Sequence, residues 1–151
     1  MTNPQPERSL IASFIAGRYE LGRLLENRID ASGLTTLDAV VIRALMLNRN
    51  PTVGHIRPSL ALPASTATAI VDRLVERGFA RRDADYLDRR LAIVHLAGPG
   101  DQIARMVDAA VVELEQEIVS EAHVGRVEVA RVVDGIELVA TRDRRMRLRS
   151  R

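Results

Sequence analysis

Side chains that carry covalent or metal chemistry are scarce in this sequence. The chain has 151 residues and no cysteine, which excludes thiol nucleophiles, disulfides, zinc knuckles and iron–sulfur centres. All 22 basic residues are arginine, so Schiff-base lysines, lysine general bases and phosphate-loop lysines are excluded too. His55, His95 and His123 lie far apart, and none has a metal-ligand neighbour at a helical or finger spacing. No nucleophile–base pair or carboxylate constellation stands at a telling spacing, so neither an enzyme nor a cofactor or metal is expected. A different chemistry is available at Ser65, Thr66, Thr68 and Arg73, which fall off the apolar stripe of one segment. Their hydroxyls can donate to phosphates or touch a base edge, and Arg73 can reach a phosphate or a guanine. The plainer alternative is that Ser65 and Thr66 cap a helix and Arg73 pairs with a nearby acid.

Such side chains need elements to position them. Residues 7–29 read as an amphipathic helix in which Leu10, Phe14, Leu21, Leu24, Leu25 and Ile29 recur near the 3.6-residue period. Phe14, like Phe79 further on, reads as core. Ser32-Gly33 ends that segment, and Thr35 and Asp38 have the spacing of a capping box for a helix to about Leu47. A short helix is expected from Thr52 to the neighbourhood of Pro58, since proline interrupts a helix interior. After the tight connection Leu60–Pro63, a clearer helix spans Ala64 to Arg77, with Ala67, Ile70, Val71 and Leu74 inside and Gly78 suited to a left-handed cap. Two short helices joined in this way form a helix-turn-helix.

Phe79–Arg82 and Arg90–Leu96 then read as two strands around a charged tip. Gly98-Pro99-Gly100-Asp101 opens a long helix, with the stripe Ile103, Val107, Val111, Leu114 and Ile118 running to about Ala122. A last helix is expected from Arg126 to Thr141. The fold class is mainly α with a small β-hairpin wing: a winged helix-turn-helix over 34–96, flanked by long helices at 7–29 and 98–141. An Arg-rich tail at 142–151 completes what reads as one domain over 1–151. The flanking helices carry more apolar surface than the chain can cover, and a second copy is the simplest partner.

The segment Leu62–Phe79 resembles the recognition helix of MarR-family transcriptional regulators. Asp85-Tyr86-Leu87-Asp88-Arg89-Arg90 resembles that family's wing signature, an aspartate followed three residues later by Asp-Arg-Arg. Val94–Gly100 stands where the family closes its wing and begins a dimerisation helix, so the resemblance spans about 7–141. It implies a homodimeric repressor whose two winged domains read successive half-sites of a near-palindromic double-stranded DNA. It also implies release by a small aromatic or phenolic effector bound between the dimerisation helices and the winged domain. Arg89 is then expected in the minor groove, where narrow A·T-rich segments attract guanidinium groups. Asp85 and Asp88 would hold the turn and orient Arg89, while Arg90 contacts phosphate or braces the hairpin. Neighbouring Arg81 and Arg82 cannot both face the duplex, because strand side chains alternate.

The sequence departs from the family at four places. Ala69 occupies the middle of the exposed face, where many members carry arginine. Arg57 stands where a small buried residue is usual, Pro58 interrupts the next position, and Ala97 replaces the threonine cap. These departures motivate an alternative: a degenerate winged-helix dimer that binds a ligand or a protein and reads DNA weakly. Charge is also divided. The formal net charge is +2, but acids concentrate at 91–141 and arginines at 142–151. The basic tail reads as an extra nucleic-acid arm or, more simply, as a mobile segment attracted to Glu113, Glu115, Glu117 and Glu121. The polar N-terminus and the absence of an uncharged apolar run near about 18 residues lead to an expected cytoplasmic location.

Overall fold

The structure, a computed structural model, describes residues 9–48, 51–84 and 92–149. It divides into two compact units, residues 1–112 and 113–151. The first holds α1 (Leu10–Arg28), a 3-10 turn at Asp30–Ser32, α2 (Thr36–Leu47), α3 (Val53–Ser59) and α4 (Ala64–Glu76). It continues through β1 (Ala80–Ala84) and β2 (Ala92–Leu96) into the beginning of α5 (Gly98–Ala122). The second holds the remainder of α5 and α6 (Arg126–Arg149).

Local chemistry sets most boundaries in the first unit. The expected capping box forms at the head of α2: Asp38 N–H donates to Thr35 Oγ1 at 3.3 Å, and Thr35 N–H donates back to Asp38 Oδ2 at 3.1 Å. A second acid joins from α1, because Thr36 N–H and Oγ1–H both donate to Glu26 Oε1 at 2.7 Å. Gly78, at φ +73°, closes α4; its N–H reaches Val75 O and that of Phe79 reaches Leu74 O, each at 2.9 Å. Pro58 lies in the last turn of the seven-residue α3, while Arg57 is exposed rather than buried.

β1 and β2 pair antiparallel from Ala80↔Leu96 to Ala84↔Ala92. The first strand begins at Ala80 rather than Phe79, because Phe79 is occupied at both backbone groups. Its N–H closes α4, and its carbonyl accepts from Ala97 N–H at 2.9 Å. The loop before α3 also joins the hairpin, through a bridge between Thr52 and Ile93 and a 2.8 Å bond from Val94 N–H to Pro51 O. This third backbone segment has no periodicity by which to be recognised in sequence.

The core of this unit gathers Ile29, Val41, Ile42, Ile56, Ile70, Val71, Leu74, Val94 and Val107. On the part of α5 in this unit the buried line is Ala104, Val107 and Ala110, whereas Ile103 and Val111 are half-buried. On α1 the difference is larger. Of its expected stripe and end, only Leu25 and Ile29 are buried, and Phe14 is exposed rather than core. Phe79 is half-buried. The first three turns of α1 leave Leu10, Ile11, Phe14, Ile15 and Tyr19 open to solvent.

In the second unit, α5 ends at Ala122, and the next residue, His123, takes a left-handed conformation (φ 53°) with its ring Nδ1 2.6 Å from Ser120 O. Helix α6 continues eight residues past Thr141, so the described part of the Arg-rich segment is helical. Arginine, leucine and methionine are good helix formers, and no proline or glycine interrupts 136–149. Arg147 pairs with Asp143 at 3.0 Å, one turn apart. Every described side chain of α6 is exposed.

Candidate nucleic-acid interface

Helix α4 begins at an N-cap that is a proline, Pro63, with no side-chain cap. The first-turn amides of Ala64, Ser65 and Thr66 therefore lack acceptors within the helix and carry its positive dipole end outward. Ala67, Ile70, Val71 and Leu74 turn inward. That orientation leaves Ser65, Thr68 and Ala69 exposed and Thr66 half-buried. The hydroxyls thus lie beside an uncapped helix end and do not cap it, an arrangement that favours an anion such as phosphate.

Arg73, on the same helix, answers to a different partner. Its Nε and Nη2 donate to Asp38 Oδ1 at 3.1 and 2.5 Å. Asp38 is 2% exposed, and its other oxygen accepts from Thr35 N–H and, at 2.9 Å, from Thr35 Oγ1–H. One carboxylate therefore caps α2 and holds α4 against it, with every strong acceptor position used. The Arg73 side chain is nevertheless 45% exposed, and its Nη1 is not part of the pair. Of the two sequence readings of Arg73, pairing with an acid is the one seen within the chain. The partner lies 35 positions away, which is why spacing could not name it.

Further arginines orient α4 and the hairpin. Arg77 donates to Gly33 O at 3.0 Å and Ser32 O at 2.7 Å, and its guanidinium stacks 4.6 Å above the Phe79 ring. Arg82 pairs with Asp72 of α4 at 2.6 Å, tying the wing to that helix. Arg81 pairs with Asp83 on its own strand, and His95 Nε2 lies 3.7 Å from the same carboxylate. The adjacent arginines thus diverge as strand alternation requires. Across the unit, Arg43 of α2 holds Asp108 of α5 at 2.7 Å. Sequence reasoning found no signal for Arg77 or Arg43, whose partners are set by folding alone. Asp85, Asp88, Arg89 and Arg90 lie outside the described residues.

Behind the hairpin, Leu45, Met46, Val94, Leu96, Arg81 and His95 help to line a recess of about 280 Å³. Among the described residues, no three His, Asp or Glu side chains gather as a metal site. Nor is any helix long and apolar enough to cross a membrane.

Known proteins share this fold. Residues 32–91 match the model of the MarR family. No curated protein sequence matches the chain. Among solved structures, the chain is similar to the Staphylococcus aureus MepR–DNA complex, at 15% identity and TM-score 0.76, covering 91% of this chain and 98% of that one. It is similar to the Mycobacterium tuberculosis regulator MosR in complex with DNA, at 16% identity and TM-score 0.76, covering 91% and 99%. It is also similar to the Streptomyces coelicolor regulator PcaV in complex with its natural ligand, at 22% identity and TM-score 0.67, covering 93% and 98%. The matched residues 32–91, which hold α2, α3, α4 and β1, are thus similar to the MarR family, and the solved structures share the fold.

Proposed function

We propose that this chain is a sequence-specific, DNA-binding transcriptional regulator acting in the cytoplasm as a homodimeric repressor. The observation that carries the reading is the exposed hydroxyl face of α4 beside its uncapped N-terminus, set within a MarR-family winged segment. Ser65, Thr66 and Thr68 meet the major groove, and Arg73 reaches a phosphate through Nη1 while Asp38 holds its other nitrogens. Arg89 enters the minor groove, Arg90 contacts phosphate, and Asp85 and Asp88 orient the turn. The exposed apolar faces of α1 and α6 are covered by a second copy, which sets two α4 helices on the half-sites of a near-palindrome. The structurally similar MepR and MosR were solved with DNA.

Release by a small aromatic or phenolic effector belongs to the same reading, since a similar Staphylococcus aureus MarR was solved with salicylate. The recess sets the Arg81 guanidinium next to Val94 and Leu96, a chemistry suited to a small aromatic acid. Titrating labelled DNA from the region upstream of the gene, at several salt concentrations, tests the central claim. Affinity should fall steeply with salt as condensed counterions are released. Arg89→Ala should weaken specific binding about tenfold. Binding that ignores both sequence and Arg89→Ala would sink the proposal. Ala69, exposed in the middle of the face, is the one observation that favours a weak-reading, ligand- or protein-binding dimer; micromolar or tighter specific binding removes that rival.

A further inference from the structure

The second unit carries two oppositely charged segments. Residues 113–121 of α5 contain four glutamates and no arginine, a formal charge of −4. Residues 142–149 of α6 contain five arginines and one aspartate, a formal charge of +4. Helical arithmetic at 100° per residue places both sets beside apolar lines. Arg142 and Arg145 flank one side of the line Val132, Ile136, Val139 and Met146, while Arg144 and Arg147 flank the other. Glu113, Glu117 and Glu121 flank one side of Val111, Leu114 and Ile118, and Glu115 the other. Two basic ends of α6 would repel one another along such a seam, whereas a basic end beside the acidic segment would not.

Within one chain, helix geometry holds the basic end of α6 away from the acidic stretch of α5. Arg126, at the head of α6, is bound to Glu115 at 2.9 Å. The unbroken helix then carries Arg142 sixteen residues further, about 24 Å from that contact. Along this length every described side chain of α6 is exposed, including Val132, Ile136, Val139 and Met146. Nucleic acid would satisfy the arginines but not the apolar line between them. A second copy satisfies both.

We infer that the arginine-rich end of α6 docks on the acidic stretch Glu113–Glu121 of a second copy of this chain, forming two reciprocal ionic latches in the dimer. The inference rests on the homodimer reading above and adds to it a named pair of surfaces and a dependence on salt. Surface pairs are screened by added ions, and several acting together in two symmetric contacts exceed the small effect of one pair.

Sedimentation equilibrium of the full chain tests this. The dimer dissociation constant should rise about tenfold or more between about 0.1 and 0.5 M salt. Two variants sharpen it: R142E/R144E/R145E, and E113R/E121R, which leaves Glu115 and Glu117 in place. Each alone should dimerise about tenfold or more weakly than the parent. Mixed in equal amounts they should recover parental affinity, because each basic patch again meets an acidic one. A salt-indifferent wild-type dimer, or a mixture no tighter than its components, overturns the latch while leaving the dimer intact. A wild-type chain that stays monomeric overturns the homodimer reading itself. Normal dimerisation of the R142E/R144E/R145E variant with reduced DNA affinity overturns the latch in favour of a nucleic-acid contact.

Discussion

Asp38 shows how much one side chain can be asked to do. It completes the capping box of α2 and accepts two hydrogen bonds from Arg73, while itself being 2% exposed. Replacing Arg73 by alanine leaves a buried carboxylate with only Thr35 as donor, so stability should fall by about 2 kcal/mol, as read from urea unfolding. Asp38→Ala should cost a similar amount, and the double variant less than the sum of the two. Additive losses would show that the pair is not coupled. The capping half of this role was legible in sequence, because Thr35 and Asp38 are three residues apart. The Arg73 half was not, since nothing local links positions 38 and 73. The same holds for Arg77 on the Ser32 and Gly33 carbonyls and for Arg82 on Asp72.

At the scale of elements, two contacts set how helices meet. Gly100 sits in the first turn of α5, where a Cβ would come within 1.8 Å of the Phe79 carbonyl oxygen. That oxygen already accepts from Ala97 N–H, so it cannot move aside cheaply. Gly100→Ala should therefore destabilise by about 3 kcal/mol and lower the melting temperature by several degrees; an unchanged melting curve would refute the contact. Glu26 joins α1 to the head of α2. Its two bonds from Thr36, led by the side-chain hydroxyl, hold its pKa below the ordinary value of 4.5. Because the folded-state value is depressed, its contribution is fully present above about 4.5 and is lost as pH falls through the lower folded value. Glu26→Gln should flatten that acidic part of the stability profile, measured by urea titrations at a series of pH values. Most element boundaries were readable beforehand: the caps at Thr35 and Gly78 and the apolar stripe of α4 each rest on chemistry within a few residues. The start of β1 and the extension of α6 past Thr141 were not. The first depends on Phe79 being held by α4 and Ala97; the second needed helix propensity to outweigh the appearance of a charged tail.

For the whole molecule, the distribution of charge and apolar surface matters more than their totals. A formal charge of +2 conceals an acidic stretch on α5 and a basic end on α6, the two surfaces of the proposed latch. Among the described residues, apolar side chains of α1 and α6 likewise lie open to solvent, and the homodimer proposed above would bury them. The sequence by itself determined the order of the elements, the helix-turn-helix with its hairpin, the caps, and the chemistry ruled out by the lack of cysteine and lysine. Each of those depends on residue type or on spacing within about one turn, where steric and hydrogen-bonding rules operate locally. Only the tertiary structure decided which arginine meets which acid, that Arg73 is held by Asp38, and that Phe14 lies open while Ile29 is sealed. Those outcomes depend on which surfaces folding brings together, and two positions 35 residues apart carry no local sign of their meeting.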